Sequence, residues 1–312
     1  MDIPSRKPLQ LFEDTPLVKV SAPMVRYSKL AFRNLVRKYG CDLCFTPMIV
    51  ADSFVKSKNA RDNDFTYCKS DRPLIVQFAS NNAENFRHAA ELVYPYSDGV
   101  DLNCGCPQRW AIQEGYGACL INKPELVSDI IHQTRNAICD SEFSVSLKIR
   151  IHNDTKRTVD FARQMESAGL TFLSVHGRTK EQRSEPVNYE VISLIKSSIN
   201  IPVIANGDIK TLNEAEHIKK LTNVDGVMCA RGLLANPSLF SGTEFTTLDC
   251  VKDWIKIAIE TGTPFTCFHN HLIYMIEKLQ SRADRRYFNA LSSVSGVVSF
   301  LEQKYSLDVS LI

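Results

Sequence analysis

Eight short apolar runs rich in β-branched residues recur along most of the chain, at residues 17–20, 42–45, 74–78, 99–102, 145–149, 172–175, 202–204 and 226–228. Stretches with helical periodicity lie between most of them, for example at 28–39, 83–93, 124–137 and 160–168. Strands that read as nearly continuous apolar runs and alternate with helices predict a parallel sheet covered on both faces. Eight such units within residues 1–240 predict an α/β fold of TIM type, a (β/α)8 barrel, because an open doubly wound sheet rarely needs eight in succession. Beyond residue 236 the rhythm stops. Residues 249–260, 268–280 and 285–304 read as helices with no further strand, so a small helical domain is expected over 241–312.

Composition narrows the class. The 312 residues are 44% hydrophobic and 23% charged, an ordinary globular mixture that excludes disorder and coiled coil. No apolar run is long enough to span a bilayer. The segment Met1-Asp2-Ile3-Pro4-Ser5-Arg6-Lys7 has no apolar stretch of secretory length, so a cytoplasmic protein is expected. Its ten cysteines are then read as thiols, with Cys44, Cys119, Cys139, Cys229 and Cys250 as small buried groups. With 37 basic and 35 acidic residues, a polyanionic partner would have to be held by local patches.

The strand ends carry the chemistry. They read Ser21-Ala22-Pro23-Met24, Thr46-Pro47-Met48, Gln77-Phe78-Ala79-Ser80, Asn103-Cys104-Gly105-Cys106-Pro107, Lys148-Ile149-Arg150, His176-Gly177-Arg178, Asn206-Gly207-Asp208 and Ala230-Arg231-Gly232. In a (β/α)8 barrel the active site gathers at these ends, with phosphate commonly held after the seventh and eighth strands. Glycines at 207 and 232 let backbone N–H groups approach an anion, and Arg231 can add a bidentate contact. A turn followed by a helix cap is the plainer reading of the same residues. Cys106, between Gly and Pro, is a thiol on a constrained loop that can exchange a proton. Zinc or an iron–sulfur cluster is the rival, but no second C-x-x-C completes the set begun by Cys41 and Cys44, so no metal is expected. Lys148, flanked by apolar residues, must find an anion, form a Schiff base or point outward. His176 and Arg178 sit where a cofactor or substrate would touch the rim, and Gln77 suits an amide-like heterocycle.

Two cationic faces follow helical spacing. One is Lys29, Arg33 and Arg37. The other is Lys278, Arg282, Arg285 and Arg286, with Tyr274 and Tyr287 near it. Either alone reads as a solvated face. Together they point to a phosphate backbone.

Taken in order, Ala22-Pro23-Met24, Gln77-Phe78, Asp101-Leu102-Asn103-Cys104-Gly105-Cys106-Pro107-Gln108, Lys148-Ile149-Arg150, His176-Gly177-Arg178-Thr179, Asn206-Gly207-Asp208-Ile209 and Ala230-Arg231-Gly232 resemble the dihydrouridine synthase family. These are flavin enzymes that reduce uridines in transfer RNA. The Asn-x-Gly-Cys-Pro element is the most specific of the matching pieces. Within the family the chain is most similar to the eukaryotic fourth subgroup, which acts on D-loop uridines 20a and 20b. The resemblance implies that Ala22, Pro23 and Met24 line an FMN ring, that Gln77 and Lys148 bind its polar edge, and that His176 contacts it. Asn206, Gly207, Asp208, Ala230 and Arg231 would hold the ribityl chain and phosphate, and Cys106 would be the general acid. NADPH or NADH would reduce the flavin in passing, since no G-x-G-x-x-G fingerprint provides a dinucleotide domain. Asn103, Arg178, Lys278, Arg282, Arg285 and Arg286 are the candidate contacts to tRNA. Two other readings remain: a flavin barrel acting on a free pyrimidine, and a non-catalytic RNA-binding protein on the same fold.

Overall fold

The computed structural model describes residues 7–307. Residues 1–6, where a leader was sought, and the last five residues of the expected helical domain lie outside it. The strands are β1 (Val18–Ser21), β2 (Leu43–Phe45), β3 (Ile49–Val50), β4 (Leu74–Ala79), β5 (Gly99–Cys104), β6 (Ser144–Arg150), β7 (Phe172–His176), β8 (Val203–Asn206) and β9 (Gly226–Cys229). All pair in parallel, and β1 closes the sheet by pairing with both β2 and β9. β2 and β3 both pair with β4, at Phe45↔Ile75 and Ile49↔Phe78, so they are two pieces of one stave and the barrel has eight staves. The interruption is Thr46-Pro47-Met48, where Pro47 lacks the N–H a ladder needs. Thr46 makes up part of the loss: its Oγ1 accepts from the Gln77 N–H at 3.0 Å.

The lower end of the barrel is packed shut. Val18, Val20, Leu43, Phe45, Ile75, Phe172, Ile204 and Met228 form an apolar plug. The helix Pro8–Asp14 adds Leu11 beneath it and sets the Phe12 ring 5.4 Å from Phe172. Outside, each helix buries one stripe. Phe86, Ala89, Ala90 and Val93 of Ala83–Val93, and Val127, Ile130, Ile131 and Thr134 of Pro124–Ala137, follow the 3.6-residue period.

The C-terminal region is helical from Leu248 onward, as Leu248–Glu260, Phe265–Ile276, Arg282–Asn289 and Val294–Tyr305. The single helix expected at 285–304 is therefore two. Ser293 starts the second by accepting the Gly296 N–H at 3.1 Å, a cap that breaks the run. The helix expected at 268–280 begins at Phe265 and ends at Ile276 in a short 3₁₀ turn. This region is bolted to the helix Leu30–Lys38. Tyr39 and Lys38 both bond Asp253, at 2.6 and 2.5 Å. The His271 ring lies 4.7 Å from Phe32 and 4.4 Å from Trp254, with Nε2 3.1 Å from the Tyr27 carbonyl.

That docking role corrects one expectation. Arg33 and Arg37 do not form a face for phosphate. Arg33 is buried, its guanidinium bonded to Asp71 at 2.6 and 2.9 Å and to the carbonyls of Ser28 and Thr66. Arg37 reaches Asp71 at 3.3 Å and the Pro73 carbonyl at 2.5 Å. The neutralising carboxylate lies far along the chain, beyond any helical spacing rule. Removing it leaves a guanidinium buried without its counter-charge, which costs about 3–5 kcal/mol. Asp71→Ala should therefore lower the denaturant midpoint steeply, and an unchanged midpoint would contradict the pairing.

Candidate active site

Side chains alternate along a strand, so each stave sends every second residue inward. The register aligns Gln77 with Asp101, Asn103 with Lys148, Arg150 with His176, and His176 with Asn206. The inner face thus turns from apolar at the plug to polar at the C-terminal end. Gln77, Asp101, Asn103, Lys148, His176 and Asn206 all meet at that mouth.

Two oriented networks organise it. In the first, the Asp101 carboxylate accepts from Ser146 Oγ and from Gln77 Nε2, each at 2.8 Å. Gln77 Oε1 then accepts from Asn103 Nδ2 at 2.9 Å, and Asn103 Oδ1 accepts from the backbone N–H groups of Cys106 at 2.9 Å and Gly105 at 3.2 Å. A carboxylate only accepts, so each amide in the chain has its direction set by the one before. The relay ends on the Cys106 loop. From below, Gly117 (φ 67°) presses against that loop, where a Cβ would come within 2.5 Å of the Cys106 carbonyl oxygen. Arg150 ties it sideways, donating to the carbonyls of Gly105 at 3.0 Å and Thr179 at 2.8 Å. Cys106 itself is half-buried and lies within electrostatic reach of Lys148 and Arg150.

In the second network Lys148 Nζ donates to Asn206 Oδ1 at 2.8 Å, and Asn206 Nδ2 donates to the Met228 carbonyl at 2.8 Å. Beside it, a cavity of about 210 Å³ is lined by Ala22, Pro23, Lys148, His176, Arg178, Asn206, Gly207, Asp208, Ala230 and Arg231, among others. Gly207 (φ 134°) and Asp208 (φ 48°) turn the chain sharply there. Arg178 is buried and pairs with Asp208 through both guanidinium nitrogens, while exposed Arg231 reaches the same carboxylate at 3.4 Å. A second cavity of about 560 Å³ adjoins it, sharing Arg178, Asp208, Lys210 and Arg231. Tyr274, Met275 and Lys278 line its far side.

The electrostatics are strongly biased. Burial, followed by Lys148, Arg150, Arg178 and Arg231, pushes His176 far below its usual value and keeps it neutral. Burial and Arg150 bring Lys148 down to about 8. Burial lifts Asp101 to about 7 against the hydrogen bonds that favour its charge. So many cations around one cavity, with Asp208 already paired, make a place for an anion.

The structure therefore gathers most of the expected residues. Ala22, Pro23, Lys148, His176, Asn206, Gly207, Asp208, Ala230 and Arg231 line one cavity, and Gln77, Asn103 and Cys106 share the relay beside it. Met24 sits at the rim, its N–H bonded to Ser28 Oγ, and does not line that cavity. Arg178, expected to touch substrate, lines both cavities and also binds Asp208 and the Glu185 carbonyl. Asn103 likewise engages its amide with Gln77 and the loop backbone. Lys278 faces the larger cavity and lies 4.8 Å over the Phe245 ring, whereas Arg282, Arg285 and Arg286 are exposed outside both cavities. Cys139 is exposed and Cys119 half-buried, against the expectation of burial. Asp101 and Ser146 are functional neighbours that a reading of strand ends alone passes by, and Arg150, read there only as part of a strand end, braces the Cys106 loop. Asp101 lies two residues before Asn103, so strand alternation points to it.

The comparisons with known proteins decide the family. The model described as "Dihydrouridine synthase (Dus)" matches residues 20–305. The chain belongs to the dihydrouridine synthase family. A Homo sapiens member named a tRNA-dihydrouridine(20a/20b) synthase-like protein is 59% identical over 97% of this chain and 95% of its own. A Schizosaccharomyces pombe tRNA-dihydrouridine(20a/20b) synthase is 39% identical over 96% of this chain and 92% of its own. Among solved structures, the old yellow enzyme from Trypanosoma cruzi shares the barrel with TM-score 0.53 at 11% identity, covering 71% of this chain and 86% of that one. A dihydrouridine synthase is an oxidoreductase that reduces uridine to 5,6-dihydrouridine, so its mouth must bring a hydride source and a proton source to one pyrimidine.

Because folding raises the Asp101 carboxyl from its ordinary value near 4 to about 7, the folded state holds that proton more tightly than the unfolded chain. Its contribution is fully present below about pH 4 and is lost as pH rises to about 7, at up to about 1.4 kcal/mol per pH unit. Asp101→Asn should flatten that part of the stability–pH curve. Superimposable curves for the two proteins would contradict the burial cost assigned to Asp101.

Proposed function

We propose that this chain is an FMN-dependent enzyme that reduces uridine to dihydrouridine in tRNA, at D-loop positions 20a and 20b, with NADPH or NADH as reductant. The observation that carries the reading is the meeting, at one barrel mouth, of a cation-rich cavity with a thiol loop held by its own hydrogen-bond relay. The relatives' names, which include tRNA, positions 20a/20b and NAD(P)+, support the finer assignment.

The residues suit FMN. Lys148 gives one of its three N–H donors to Asn206, leaving two for the pyrimidine edge of the ring. Neutral His176 can donate there without adding a charge. The turn 206–208 with Ala230 and Arg231 would take the ribityl chain and phosphate, and Ala22 and Pro23 would face the ring. With FMN held by these residues and reduced by NAD(P)H, the site would have a hydride for uracil C6.

The chain's own residues do the rest. Lys148, at the pyrimidine edge of the ring, would offset the negative charge of the reduced flavin from a fixed position. Cys106 Sγ–H gives its proton to C5, and the relay through Asn103 holds the loop that aims it. The uridine must leave its stack to enter the mouth. Lys278, Arg282, Arg285 and Arg286 on the C-terminal helices would meet the phosphate backbone. The continuation of the mouth into a 560 Å³ cavity walled by Lys278 and Tyr274 favours a polynucleotide over a free pyrimidine. The compartment proposed is the cytoplasm. All ten cysteines are free thiols, and among the described residues no helix is long and apolar enough to cross a membrane.

Cys106→Ala should bind FMN and tRNA like the wild type while losing dihydrouridine formation by roughly 10²–10⁴-fold. Undiminished turnover would move the acid role elsewhere, and a wild-type protein that takes up no FMN would remove the cofactor reading.

A further inference from the structure

A third concavity, an open groove of about 770 Å³, begins where the Cys106 loop ends. Pro107, Gln108, Arg109 and Ile112 form one wall, with Arg150 and Arg183 opposite, and no carboxylate lines it. Arg109 and Arg183 are exposed, and neither guanidinium has an ion-pair partner among the described residues. Arg150 donates only to the carbonyls of Gly105, Thr179 and Gln182, so its charge is also uncompensated by a carboxylate while it braces the two walls. On the helix Arg109–Gln113, Arg109, Ile112 and Gln113 line the groove; Trp110 lies outside that lining, with its indole 41% exposed. Its Nε1 donates to Gln108 Oε1 at 2.5 Å, which pins the ring edge and leaves the face open. A large exposed aromatic beside unpaired arginines is unusual on a near-neutral protein.

Position says what fits. In the closed barrel β5 lies three staves from β1, after which the C-terminal helices dock, so the wall at Pro107–Ile112 lies round the mouth from them, while Arg183 adjoins Ser184 of the cavity they wall. Those helices dock around Tyr27 and Leu30–Lys38. The groove starts at Pro107, one residue after the thiol, and Arg150, which lines it, also holds the Gly105 carbonyl of the thiol loop. We propose that the groove seats the unpaired nucleotides flanking the reacting uridine, with a neighbouring base stacked on Trp110 and phosphates on Arg109 and Arg183. The inference rests on the RNA reading above and adds a second grip to it. A substrate held only by the C-terminal helices would pivot about one side of the mouth. Contacts at two places round the mouth hold the flipped nucleotide between them. Stacking needs a base with an open face, which single-stranded loops offer and duplexes do not.

The test uses the full flavin-loaded chain and an unmodified tRNA transcript. Arg109→Gln with Arg183→Gln, and separately Trp110→Ala, should each raise KM about tenfold with kcat held within about twofold. The double arginine variant should also make the logarithmic salt dependence of binding shallower by about 1.4. Trp110→Phe, which can still stack, should stay near the wild type. All three sites are exposed, and an unchanged flavin content and melting midpoint would show that each variant folds. Wild-type KM and salt slope in both the double variant and Trp110→Ala would overturn the proposal. Binding is read without turnover, so a wild type that binds transcript yet forms no dihydrouridine would defeat the catalytic reading while these measurements still judge the groove.

Discussion

Everything at the mouth depends on the closed register of the barrel. Pairing fixes which residues of each strand face inward, and a slip of one residue would send Lys148, His176 and Asn206 into the helix layer. The apolar plug enforces the register. Phe45, Ile75, Phe172 and Ile204 can be buried inside the barrel only in the phase that also turns the polar residues inward above them. One constraint therefore both holds the fold together and builds the site.

Placing ionisable groups inside a barrel is costly, and the structure spreads that cost between opposite charges. Asp101 and Lys148 interact across adjacent strands, and burial moves each toward its neutral form. Asp101 is kept by two donors and Lys148 by Asn206. The same bonds orient neighbours that have no charge: Gln77 and Asn103 carry the direction set by Asp101 up to the Cys106 loop. His176 is neutral because it is buried and cations surround it, and those cations are what an anionic cofactor would satisfy.

Much of this was legible in the sequence, for physical reasons. Nearly continuous apolar runs report strands buried on both faces, and polar residues at their ends report the mouth, so the barrel and the convergence of Lys148, His176, Asn206 and Arg231 could be read directly. What stayed hidden was non-local. Asp71 is far from Arg33 in sequence, so the helix looked like a cationic face when it is a buried bracket. The break between Asn289 and Val294 turns on a serine cap, too weak a signal against continuous periodicity. Asp101 sits one inward step below its strand end, out of view of a reading that attends only to the ends. The pairing of Arg178 with Asp208 was hidden for the same reason, since Asp208 comes from the next strand's loop.

The account stands most directly on what happens to an RNA. Purified protein, FMN and NADPH can be incubated with an unmodified tRNA transcript and the fragments weighed by mass spectrometry. A gain of two hydrogens confined to D-loop uridine is the result expected. A transcript of unchanged mass, with FMN bound and NADPH present, would contradict it.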